Sequence, residues 1–73
     1  MSNNKYKVLV VEDDIKICHF VTTVLEANDF SVFTAHTCGM GKTLFLSHNP
    51  DLVILDLGLP DADGLEFIRF VRP

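Results

Sequence analysis

The chain has 73 residues, six Lys and Arg against ten Asp and Glu, a formal net charge of −4 and 48% hydrophobic residues. That length permits one small domain at most, and six scattered cations argue against a nucleic-acid surface in this segment, because phosphate binding needs clustered Lys and Arg. No window approaches the roughly eighteen consecutive apolar residues of a membrane span, and Met1-Ser2-Asn3-Asn4-Lys5 lacks the apolar core of a signal peptide. A cytoplasmic location is expected, with Cys18 and Cys38 both reduced.

Residues 1–4 are expected to be disordered, and a single unit to run from residue 5 to 73. Residues 6–11 contain the apolar run Val8-Leu9-Val10-Val11. Short runs rich in β-branched residues read as strands buried on both faces. A helix follows from about Ile15 to Asn28, in which Ile17, Phe20, Val21, Val24 and Leu25 form one apolar stripe at helical spacing. Asp13 or Asp14 can cap its first turn, and Asn28 can leave it through the left-handed region. Phe30 to Ala35 reads as a second strand. Thr37 then caps a helix from about Cys38 to His48, weakened by Gly39 and Gly41 at about 1 kcal/mol each relative to Ala. Asn49-Pro50 marks a turn before the third strand, Asp51 to Asp56, and a third helix from Leu65 to Val71 follows the turn Asp61-Ala62-Asp63-Gly64.

Helical crossovers imply right-handed βαβ units and a parallel sheet. The order 2-1-3 would set the carboxyl ends of strands one and three side by side, where ligand sites of open parallel sheets gather. Glu12-Asp13-Asp14 closes the first strand and Asp56 closes the third, so the acidic residues would share one pocket. Crowded carboxylates raise a pKa or take up a cation, and a site of oxygen ligands suits Mg²⁺ or another hard divalent ion. A carboxylate at such a strand end can be a ligand, a general base, a helix cap or a phosphoryl acceptor. The bland alternative makes Asp14 a cap and leaves Glu12 and Asp13 as solvated loop charges.

Other motifs fit their chemistry poorly. Gly39-Met40-Gly41-Lys42-Thr43 ends like a phosphate-binding loop, but His36 stands where its first glycine belongs, so Lys42 reads as a solvated helix charge. Asp61-x-Asp63-Gly64 echoes a calcium loop, yet Leu59 and Phe70 occupy its first and twelfth ligand positions. His19, His36 and His48 lack metal-ligand spacing and read as surface histidines. The two cysteines read as ordinary helix residues. Pro60 rigidifies its turn, and Gly64 supplies either a positive φ or close packing.

The stretch Asp56-Leu57-Gly58-Leu59-Pro60-Asp61-Ala62-Asp63-Gly64 resembles the phospho-acceptor loop of bacterial response-regulator receiver domains. Val8 to Asp14 is similar to that family's first strand and acidic pair, Pro50 to Asp56 to its third strand, and Gly64-Leu65-Glu66-Phe67-Ile68 to the start of its third helix. The wording is nearest the OmpR-like branch and, within it, the regulators of potassium-transport operons. The resemblance implies a flavodoxin-like (CheY-like) doubly wound α/β fold, of which about three βα units are represented. It implies Asp56 as phospho-acceptor and Asp13, Asp56 and the Gly58 carbonyl as ligands of Mg²⁺ or Mn²⁺, with Glu12 acting through water. A histidine kinase is the implied phosphoryl donor, and the implied role is regulatory rather than that of a stand-alone enzyme.

On that reading the family's switch Ser or Thr, its phosphoryl-contacting Lys and any DNA-binding domain lie outside this chain. Slow or undetectable phosphorylation is then expected, as is self-association through the edge of strand three or through uncovered apolar surface. Two alternatives remain: a structural or interaction fragment with no working site, and an aspartyl-phosphate phosphatase, which needs a second Asp where Gly58 stands.

Overall fold

The structure, a computed structural model, describes residues 6–56 and 64–71, the side chains of 64–66 excepted. Its elements are β1 (Lys7–Val11), α1 (Ile15–Ala27), β2 (Ser31–Ala35), α2 (Cys38–His48), β3 (Leu52–Leu55) and α3 (Gly64–Val71). The three strands are parallel in the order β2-β1-β3, as the sequence pattern predicts. Residues 1–4, the Gly58 carbonyl, Pro60 and the turn at Asp61 to Asp63 lie outside the described residues.

β1 is the centre of the molecule, and Val8, Leu9, Val10 and Val11 are each no more than 1% exposed. Alternation along the pleat divides them between two layers. Leu9 and Val11 point with Ala35, Val53 and Leu55 toward α2 and α3, where Cys38 and Phe67 complete the core. Val8 and Val10 point the other way, toward Cys18, Val21 and Leu25 of α1 and Val32 of β2. Leu52 and Ile54 pair with Val8 and Val10 in register and so share the α1 side, but they stay 53% and 36% exposed.

The face of α1 differs from the sequence expectation. Cys18, Val21 and Leu25 turn inward, whereas Ile17, Phe20 and Val24 are 49%, 69% and 45% exposed. The helical period is as expected and its phase is rotated, because α1 packs on β1 and β2 and directs its second apolar flank elsewhere. Cys18 is thus a core residue. The helix ends on Asn28 at φ −107°, and Asp29 takes the left-handed conformation expected of Asn28, at φ 68°.

In α2, Gly41 earns its helix penalty. A Cβ there would fall 3.1 Å from Phe67 Cε1 and 3.1 Å from Val11 Cγ2, so the bare backbone lets α2 approach β1 and α3. Lys42 is not simply a solvated charge, since its Nζ lies 5.3 Å from the centre of the Phe70 ring, a cation–π distance. His48 stacks on Phe33 at 4.0 Å between ring centres. Asn49 closes the helix in the left-handed region at φ 50°, and Gly64 opens α3 without a positive φ. Ahead of β3, Asp51 exchanges hydrogen bonds with Lys7: the Asp51 amide donates to the Lys7 carbonyl at 2.8 Å, and the Lys7 amide donates to Asp51 Oδ2 at 2.8 Å.

Candidate functional site

At the carboxyl end of β1, three acidic residues occur in succession, and local hydrogen bonding separates their roles. Asp14 is the N-cap of α1, with an extended backbone and Oδ1 accepting from the amides of Lys16 at 2.9 Å and Ile17 at 3.2 Å. Those amides have no partner within the helix, so a side-chain oxygen satisfies them. The choice between Asp13 and Asp14 left open by the sequence is settled in favour of Asp14, and the exposed Asp13 carboxylate is not used as the cap.

Glu12 is held by its backbone. Its amide donates to the Ala35 carbonyl at 2.9 Å, extending the β1–β2 ladder by one step, and its own carbonyl lies 2.9 Å from Nδ1 of His36. Glu12 Oε2 accepts from the Asp14 amide at 3.2 Å. From the other side, the Asp56 amide donates to the Val11 carbonyl at 2.9 Å. Asp56 therefore continues the β1–β3 ladder and stands beside Glu12 and Asp13.

The outcome is convergence. One carboxylate oxygen from each of Glu12, Asp13 and Asp56 lies within 4.8 Å of the other two, with Glu12 and Asp56 half-buried and Asp13 exposed. Partial burial pushes the Glu12 carboxyl above its ordinary value. The neighbouring carboxyls of Asp56 and Asp13 push it further, opposed by the Asp14 amide, which favours the anion. Three hard oxygen donors at this spacing fit a divalent cation such as Mg²⁺ or Mn²⁺, which would relieve the same repulsion. The expected Gly58 ligand lies outside the described residues.

His36 is exposed, as the sequence suggests, but its contact with the Glu12 carbonyl is not foreseen there. Its contact with Glu12 depends on strand register. The only signal in the sequence is its place directly after β2, opposite the acidic end of β1. His36 also lines a cavity of 220 Å³ together with Ile15, Cys18, His19, Thr22 and Thr34. Gly39 to Thr43 belongs to α2, which gives no loop for a phosphate to sit in.

A sequence profile of the response regulator receiver domain matches residues 8–73. The KDP operon transcriptional regulatory protein KdpE of Escherichia coli (strain K12) is 51% identical over 65 residues, covering 89% of this chain and 29% of that protein. Among solved structures, the non-phosphorylated HemR receiver domain from Leptospira biflexa superposes with a TM-score of 0.86 at 33% identity, covering 92% of this chain and 54% of that one. A CheY-like response regulator receiver domain protein from Methanospirillum hungatei JF-1 gives 0.87 at 29% identity, covering 89% and 52%. The chain thus spans under a third of that curated relative and about half of those solved chains.

Proposed function

Because the chain belongs to the family of response regulator receiver domains, we propose that it is a phospho-accepting regulatory module of a cytoplasmic two-component system. In this reading Asp56 takes a phosphoryl group from a histidine kinase, and the longer protein controls transcription through a part outside this chain. The observation that carries the proposal is the meeting of Glu12, Asp13 and Asp56 within 4.8 Å. Asp13, Asp56 and the Gly58 carbonyl would hold Mg²⁺ or Mn²⁺ directly, with Glu12 acting through water. Such an ion supplies positive charge that offsets the charge on the phosphoryl oxygens during transfer.

The chain's own residues supply position and nucleophile. An Asp56 carboxylate oxygen forms the new bond to phosphorus while the imidazole nitrogen of the donor leaves with its electron pair. The bond from the Asp56 amide to Val11 fixes that carboxylate at the strand end. Lys7 and Lys42 are engaged elsewhere, Lys7 Nζ with the His48 carbonyl and Lys42 Nζ over Phe70. With these two amines engaged there, transfer in the 73-residue chain is expected to be slow. Titration with Mg²⁺ is expected to shift the amide signals of Asp13, Asp56 and Gly58, and a flat titration would overturn the reading. Intact-mass measurement after incubation with acetyl phosphate and Mg²⁺ is expected to show little modification; rapid stoichiometric phosphorylation would contradict the slow-transfer part.

A second property has its own support. Among the described residues β3 has a neighbour only in β1, and Leu52 and Ile54 on β3, like Ile17, Phe20 and Val24 on α1, are exposed apolar side chains. An uncharged edge of this kind pairs with another strand, and the proposed occupant is the β3 of a second copy. Two-fold antiparallel pairing centred on Val53 sets Leu52 opposite Ile54 of the other copy, and both side chains then fall on the α1 side. A sedimentation mass that stays monomeric at high concentration would exclude it.

A further inference from the structure

The His36 side chain completes the β1–β2 ladder at the point where the backbone stops doing so. In a parallel ladder, the strand residue whose amide donates to position 35 accepts at its carbonyl from the amide of position 37. Here the Glu12 amide donates to Ala35 at 2.9 Å, but the chain turns at His36 and Thr37 becomes the N-cap of α2, its hydroxyl accepting from the Met40 amide at 3.1 Å. Nδ1 of His36, 2.9 Å from the Glu12 carbonyl, fills the vacated place. A carbonyl only accepts, so Nδ1 carries the proton, and in the neutral ring Nε2 is bare.

That carbonyl belongs to the peptide unit joining Glu12 to Asp13. Pinning it fixes ψ of Glu12 and φ of Asp13, and with them the directions in which both carboxylates leave the backbone. We propose that His36 is a positioning residue of the acidic site: its Nδ1–H orients the Glu12–Asp13 peptide so that both side chains meet Asp56. The inference rests on the cation-binding reading above and extends it to a residue outside the acidic triplet. Outer partners of this kind typically change metal affinity about 10–100-fold when removed, whereas a purely structural surface hydrogen bond would leave that affinity unmoved.

The test uses the 73-residue chain, with Mn²⁺ affinity read from paramagnetic broadening and the ring tautomer read from imidazole ¹⁵N shifts. In the unsubstituted chain, protonated Nδ1 and bare Nε2 are expected in the neutral ring. His36→Ala is expected to weaken Mn²⁺ about tenfold, and His36→Asn, whose amide nitrogen sits where Nδ1 does, to restore most of the loss. His19→Ala, on the same cavity but away from the carbonyl, is expected to leave affinity unchanged. An Nε2-protonated ring, or a folded His36→Ala chain that binds Mn²⁺ as the original does, overturns the positioning role while leaving the cation site standing. Failure of the original chain to bind Mn²⁺ overturns both readings.

Discussion

The amide of Asp56 donates to the carbonyl of Val11 at 2.9 Å, so the residue that ends β3 is tied to the last residue of β1, next to Glu12. This bond makes the position of Asp56 a property of the sheet rather than of the following loop. Asp56→Asn keeps the amide and removes the carboxylate. Any phosphorylation by acetyl phosphate is expected to vanish, with Mg²⁺ affinity falling at least about tenfold, and the cation-free chain is expected to melt higher at neutral pH because a like charge is gone. Intact mass, metal titration and calorimetry read the three effects.

The raised pKa of Glu12 fixes the sign of a pH dependence. A carboxyl that holds its proton more tightly folded than unfolded stabilises the fold while protonated in both states. That contribution is lost as pH climbs from its ordinary value of 4.5 through its folded value. Glu12→Gln removes the ionisation. The variant's stability is expected to exceed that of the original chain near pH 7 without cation, with the gap closing as pH falls toward 4.5. Denaturant melts across this range check it, and a gap that widens toward acid would show the opposite shift.

Asp14→Ala separates capping from ligation. Losing the acceptor for the Lys16 and Ile17 amides is expected to cost about 1 kcal/mol of stability with little change in Mg²⁺ affinity. Asp13→Ala is expected to do the reverse. Paired melts and metal titrations give the comparison.

Gly41→Ala sets two effects against each other. The helix gains about 1 kcal/mol, but the new methyl meets Phe67 and Val11 at 3.1 Å, and overpacking of a closed core costs about 1–3 kcal/mol. Net destabilisation of roughly 1 kcal/mol is expected from these two figures. Chemical denaturation measures it, and a net gain would mean that α2 shifts freely on the sheet.

The sheet and its order were legible because they rest on local signals: apolar β-branched runs at Val8 to Val11 and Leu52 to Leu55, helical spacing between them, and acids at both strand ends. The convergence of Glu12, Asp13 and Asp56 then followed from topology. What stayed hidden depends on neighbours. The phase of α1 was misjudged because Phe20 and Leu25 look equally apolar in one dimension, and the covered sheet area selects between them. Gly41 reads as a defect until Phe67 is placed against it. His36 has no local signature at all, because its partner is set by the pairing of β1 with β2.

At the opposite end of β3 from the acids, Asp51 and Lys7 exchange two hydrogen bonds of 2.8 Å. A slip of one residue there would invert the strand, exchanging Val53 and Leu55 for Leu52 and Ile54 between the two layers, and would carry Asp56 out of reach of Glu12 and Asp13. The exchange at Asp51 therefore acts as an indexing peg, and a carboxylate at one end of β3 dictates the address of the carboxylate proposed as phosphoryl acceptor at the other.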